Sequence, residues 1–257
     1  MKLQIFILIL LVSCNAMNDN GYEKDNGTNE TINDKFYQPI MVGPNIISKS
    51  YFEGHASITP AGDEIYFTVY TNDHSYSTIV YSKYVNNSWQ EPEVVSFSGF
   101  YSDGSPTLSP DGKKLFFSSN RPVGNSMKLN SSNDIWYSQR KGDGWASPVR
   151  LPESINSSFN EFSPSVDRQG NLYFCSNRPD GFGDMDVYYS KFNNSDYSEP
   201  ILLDSTINSQ YHEGNVGVSP NGKLLFLMIQ HKPGDFGFDD IHYSYKKDGK
   251  WASVKNV

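Results

Sequence analysis

The chain has 257 residues, 14% of them aromatic and 37% hydrophobic, with 21 Lys and Arg against 29 Asp and Glu for a formal net charge of −8. That length suffices for one large core or two small ones, and the Tyr and Phe content favours the pleated, half-buried surfaces of β structure. The acidic balance argues against nucleic acid as a partner, because such partners are held by neutralising phosphates.

The N-terminus reads MKLQIFILILLVSC, with one basic residue, Lys2, an apolar run from Ile5 to Val12, then Ser13 and Cys14. The run is too short to span a bilayer and is built like a secretory leader. Its LVSC end resembles a bacterial lipobox. This implies a signal peptide over residues 1–14 and lipidation of Cys14, several acyl chains on one residue being enough for a stable anchor. Residues 15–35 are rich in Asn, Asp and Gly and have little to bury, so a disordered tether is expected. Cys175 is the only other cysteine. With Cys14 lipidated no disulfide can form within the chain, and Cys175, in an alternating apolar stretch, is expected to be a small buried residue.

From Phe36 onward the chain repeats itself. Four turns carry Gly62, Gly112, Gly170 and Gly222, in TPAGDEIYFTVYT, SPDGKKLFFSSNRP, DRQGNLYFCSNRP and SPNGKLLFLMIQHKP. Glycine supplies the positive φ of a tight strand connection. A short strand precedes each turn (EGHASIT, DGSPTLS, EFSPSVD, EGNVGVS) and an aromatic strand follows it. Next come TIVYS, DIWYS, DVYYS and DIHYS, then an outer element anchored on Trp89, Trp145, Tyr197 or Trp251. Four short strands in roughly fifty residues, with no helical periodicity, are the signature of a β-propeller blade. The expected fold is therefore all-β: a propeller of four blades, each of four antiparallel strands, over residues 36–257.

The segments SPDGKKLFFSSNRP…NDIWYS and DRQGNLYFCSNRPDGFGDMDVYYS resemble the TolB-type, WD40-like propeller repeat of bacterial envelope proteins. The resemblance runs over about residues 36–257 and is strongest in repeats two and three. The first repeat lacks the Asn-Arg-Pro end, and the fourth has Gln-His-Lys-Pro in its place. The motif specifies a fold and leaves the ligand open. FYQPIMVGPNIIS at Phe36 aligns with WASPVRLPESINS at Trp145, Ile46 falling on Ile155. That makes five copies of the outer strand against four of the others. The N-terminal copy and the C-terminal WASVKNV thus compete to close the ring, and five blades would need three strands that are not found.

Catalytic signatures are missing. There is no Gly-x-Ser-x-Gly elbow, HEGNV at His212 lacks the second His of a zinc-protease helix, and no Cys/His cluster has zinc-ligand spacing. What stands out is a set of acids at the start of each innermost strand: Glu53, Asp103, Glu161 and Glu213. Equivalent positions on strands lining a central channel form a ring. Such a ring would either bind a cation, oxygen ligands suiting calcium or magnesium, or accept backbone N–H bonds that staple the blades. His55 and His212 flank the acids in repeats one and four only. The loops after the second strands leave by the same face and hold Arg121, Arg178, Asp184, Asp186, Lys232, Asp235 and Asp239, with Phe182, Phe236 and Phe238 exposed among them. Arg121 and Arg178 are expected to pair with blade acids. Aromatic faces beside acids and amides suit sugars or peptides.

These features describe an exported, monomeric, lipid-anchored module that binds an envelope protein or glycan without catalysis. It would face the periplasm or the cell surface, touch the membrane only through its lipid, and need no cofactor. The competing reading is a carbohydrate-active hydrolase or lyase using the acids and histidines.

Overall fold

Alternation of apolar and polar residues puts one side of each strand against a neighbour, and every described element is a strand. The computed structural model describes residues 41–49, 52–124, 126–235 and 237–257. Cys14, the leader, the tether, the segment 36–40 and Phe236 lie outside the described residues. Blade 1 contains β1 (Phe52–Ile58), β2 (Glu64–Tyr70), β3 (Ser77–Val85), β4 (Ser88–Trp89) and β5 (Glu93–Val94). Blade 2 contains β6 (Asp103–Leu108), β7 (Lys114–Ser119), β8 (Asp134–Lys141), β9 (Gly144–Trp145) and β10 (Val149–Arg150). Blade 3 contains β11 (Glu161–Val166), β12 (Leu172–Ser176), β13 (Asp186–Ser190), β14 (Phe192–Asn193), β15 (Asp196–Tyr197) and β16 (Ile201–Leu202). Blade 4 contains β17 (His212–Val218), β18 (Leu224–Gln230), β19 (Asp239–Lys247), β20 (Lys250–Trp251) and β21 (Lys255–Asn256).

The molecule is a four-bladed β-propeller of antiparallel sheets. Each blade has three long strands and an outer strand split in two, a short hairpin strand at the Trp or Tyr anchor and then an edge strand. One repeated bond fixes the split. The hydroxyls of Ser82, Ser138, Ser190 and Ser244 donate to the carbonyls of Gln90, Ala146, Ser198 and Ala252, at 2.5–2.6 Å. The glycine turns have φ of 75°, 69°, 84° and 67°. The third is one residue shorter, because Val166 pairs with Leu172 where Leu108 pairs with Leu115. Alignment on the glycines alone misplaces that strand by one.

Each innermost strand also bulges, and the bulge residue takes positive φ: His55, Ser105, Ser163 and Asn215, all between 50° and 52°. A bulge of this kind turns the strand and re-aims its side chains.

The core lies between blades. Tyr66 and Ile79 of blade 1 pack on Leu115, Phe117 and Trp136 of blade 2. Phe116 and Ile135 of blade 2 pack on Leu172, Phe174 and Tyr188 of blade 3. Tyr173, Cys175 and Val187 of blade 3 pack on Leu225, Leu227 and Ile229 of blade 4. Outer anchors reach back across these seams: Trp145 meets Tyr66 edge-on and donates to its hydroxyl at 3.3 Å, and Trp251 meets Tyr173 edge-on. Connecting segments add stitches. Asn156, ahead of blade 3, accepts from the Ile135 N–H and donates to its carbonyl; Asn208 does the same for Val187.

The fourth seam is different. Ile65, Phe67 and Val80 of blade 1 are covered by Val42, Ile46 and Ile47 and by Trp89, with no residue of blade 4 in that cluster. Ile47, one residue past the expected Ile46, takes the fully buried place of Ile155. The matching face of blade 4 is left half-exposed. Phe226 and Ile241 are only partly buried, whereas their equivalents Tyr66, Phe116, Tyr173 and Ile79, Ile135, Val187 are sealed. Among the described residues, blades 1 and 4 meet through the His55 ring and the Asn215 side chain. Of the two candidate closing strands, the C-terminal one pairs with β19 as an edge strand, through His242 to Asn256 and Tyr243 to Lys255.

Candidate functional site

The four repeat acids are engaged within their own blades. Asp103, fully buried, accepts from Ser98, Ser119 and Arg121, the guanidinium Nη2 lying 2.7 Å from Oδ1. Glu161 accepts from the Ser157 N–H and hydroxyl and from Ser176, with Arg178 Nη2 at 3.3 Å. Glu213 accepts from the Ser209 N–H at 3.1 Å and from its hydroxyl at 2.5 Å. Glu53, also buried, accepts from the Lys49 N–H at 3.1 Å. The same bond recurs in three blades, from the N–H four residues upstream, and ties the connecting segment to the inner strand. Burial pushes the Glu161 and Glu213 carboxyls upward, and these hydrogen bonds hold them back.

The structure therefore pairs Asp103 with Arg121 and Glu161 with Arg178. Among the described residues no three His, Cys, Asp or Glu side chains are placed to hold a metal ion. The groups that meet between blades are the bulge residues two positions later. His55 contacts Asn215 and the Tyr70 hydroxyl, and Ser163 donates to Asn215 at 3.2 Å. Burial lowers the pKa of His55. His212 lies apart from His55, its Nδ1 2.9 Å from the exposed Asp184. Cys175 is sealed in the core, and burial pushes its thiol up to about 12, which makes it inert.

The loops on the acid-bearing end differ from blade to blade. In blade 3, residues 177–185 fold inward, and the Phe182 and Gly183 N–H groups donate to Asp186 at 3.0 and 3.1 Å. A Cβ on Gly181 would collide with Asp186, and one on Gly183 with the Tyr211 carbonyl. Phe182 and Phe238 are exposed at 50% and 60%. Asp235 is turned inward, 3.3 Å from His242 Nε2.

In blade 2 the connecting loop is longer, residues 120–133, and Asn130 ties its far end back to the Asn120 carbonyl. Asp134, the counterpart of Asp186, is served instead by Arg150 Nε at 2.6 Å and Asn130 Nδ2 at 2.9 Å. A cleft of about 570 Å³ opens there, lined by Tyr101, Arg121, Pro122, Met127, Trp136 and Arg150 among others. The Arg121 guanidinium lies 5.0–5.9 Å from the ring centres of Phe97, Tyr101, Phe117 and Trp136. Sequence reading found Arg121 but missed Tyr101, Trp136 and Arg150. The available signal was Arg150, the only cation at its edge-strand position, where the other blades have Val94, Leu202 and Asn256.

No family model and no curated protein matches the chain. Solved structures do. TolB from Acinetobacter baumannii superposes with a TM-score of 0.52 at 17% identity, over 82% of this chain and 44% of that one. A provisional TolB from Agrobacterium tumefaciens gives 0.51 at 16%, over 81% and 64%. A puromycin-hydrolysing peptidase from Mycobacterium tuberculosis gives 0.49 at 14%, over 80% and 29%, too distant to bear on function. The fold is thus a β-propeller. More narrowly, it is a TolB-like propeller, although the chain spans less than two thirds of either TolB.

Proposed function

We propose that this chain is a non-catalytic binding module of the cell envelope. On this reading it is exported, held to the membrane by lipid on Cys14, and recognises a protein or glycan through the loop face of blades 2 and 3. The supporting observation is the state of the acids. Asp103, Glu161 and Glu213, which a glycoside hydrolase would need free on either side of a sugar, are each taken up by hydrogen bonds from their own blade. Among the described residues no helix is long and apolar enough to cross a membrane.

Two measurements test this. Cross-linking of the full chain in its native membrane should capture a partner, and incubation with a polysaccharide panel should release no reducing ends. Release that disappears in Glu161→Gln or Glu213→Gln would overturn the reading in favour of a carbohydrate-active enzyme. Cys14→Ala should move the domain from the membrane to the soluble fraction while its melting curve stays unchanged.

A further inference from the structure

We propose that the blade 2 cleft is a carboxylate-binding site, taking the acid group of a ligand that has an apolar or planar portion beside it. The proposal rests on the binding-module reading and gives it a ligand chemistry.

Two guanidinium groups converge on the cleft, and each is already oriented. Arg121 is held by Asp103 and by Ser119, Arg150 by Asp134. Each is left with unused donors. Arg121 engages Nε and Nη2, Arg150 only Nε, and their remaining nitrogens make no hydrogen bond among the described residues. Those nitrogens are not among the sealed polar atoms lacking a partner, so each keeps some contact with solvent, and both residues line the cleft. A planar fork with free N–H groups is the group that binds a carboxylate in two-point fashion. Because the two aspartates already fix the arginine rotamers, little side-chain ordering remains to oppose binding.

The walls fit the rest of such a ligand. Tyr101 and Trp136 offer rings, Pro122 an apolar edge, and Met127, 98% exposed, an adaptable thioether at the rim. The volume falls within the roughly 300–1,000 Å³ usual for small-ligand sites.

The site is particular to one blade. In blade 3 the loop occupies the equivalent space and its own N–H groups satisfy Asp186. The position of Arg150 there is Leu202. Blade 2 differs in both respects, with a longer loop whose N–H groups do not serve Asp134 and a cation, Arg150, at the edge strand.

A carboxylate of this kind can come from a peptide C-terminus or from a sugar acid. Calorimetric titration of the full chain with N-acetyl-Ala-Phe, with the same dipeptide as its C-terminal amide, and with D-glucuronate separates them. At least one acid should bind saturably, and its affinity should fall as salt is raised. If the dipeptide acid is the ligand, the amide should bind about tenfold more weakly or not at all, since a charge-assisted bond is lost. Saturation by glucuronate alone assigns the carboxylate to a sugar. Arg150→Gln should weaken the bound acid about tenfold, with Arg150→Lys intermediate, because a point charge cannot reproduce the fork. Equal binding of acid and amide, no binding of either acid at millimolar concentration, or an unaffected Arg150→Gln variant overturns the proposal. Those failures leave the binding-module reading standing, whereas polysaccharide turnover would overturn that reading whatever the cleft binds.

Discussion

Arg121 is almost fully buried, yet it is charged and surrounded by four aromatic rings. Its partner Asp103 has no exposure at all. A buried pair contributes little net stability, because desolvation offsets attraction, but removing one member strands the other. Arg121→Ala should therefore cost about 3–5 kcal/mol, read as a lower urea midpoint. A loss below about 1 kcal/mol would mean that water reaches Asp103. Glu161 and Glu213 make a second prediction, because burial raises their carboxyls above the ordinary glutamate value of 4.5. The folded state then holds their protons more tightly than the unfolded chain does. Their contribution is complete below pH 4.5 and is lost as pH climbs through the raised values. Asp204 acts in the opposite sense: Thr206 lowers its carboxyl below 3.8, so its contribution is present above 3.8 and lost as pH falls through the lowered value. Glu161→Gln should flatten the decline of melting temperature above pH 4.5 and leave the acid limb unchanged. A variant with the wild-type slope would contradict this assignment.

At the scale of strands and blades, the seams determine what each aromatic is worth. Trp145, itself half-buried, packs edge-on against the sealed Tyr66 ring, and Trp145→Ala should cost about 1.5–3 kcal/mol. Tyr173 is sealed between blades 3 and 4, whereas Phe226, its counterpart in blade 4, is half-exposed. Tyr173→Ala should cost about 3–5 kcal/mol, and Phe226→Ala about 1–1.5 kcal/mol, since less area leaves water on folding. Chemical denaturation of both variants checks the ratio, and equal losses would show that blade 4 is covered in solution. The asymmetry comes from one missing kind of stitch. Asn156 and Asn208 bond the third strand of the blade before them, but Ser48, at the corresponding place, donates to Val42 in its own segment.

Among the described residues the ring has three closed seams and a fourth joined through His55 and Asn215. Opening should begin there, because that seam has the fewest buried apolar contacts to break. Hydrogen exchange should be fastest in segment 42–48 and the exposed strands of blade 4 and slowest in β7 and β12, whose residues are almost all sealed. Uniform protection around the ring would rule out an open fourth seam.

The amino-acid sequence alone determined the blades. The glycine turns, the aromatic strand after each and the Trp or Tyr anchors are local features of a four-fold repeat, and local features survive without knowledge of what packs on them. It also marked Asp103, Glu161, Glu213, Arg121 and Arg178 as recurring, and the expected pairing of the two arginines with blade acids is what forms. It could not say which way those acids turn. That depends on whether an N–H from the connecting segment comes within reach, as Ser157 and Ser209 do. Nor could it disclose the blade 2 cleft. Tyr101, Arg121, Trp136 and Arg150 come from four separate places along the blade and meet only after β8 and β10 pair. The unequal seams are likewise tertiary: Phe226 reads like Phe116 in the repeat, but among the described residues no blade seals it and it is only half-buried.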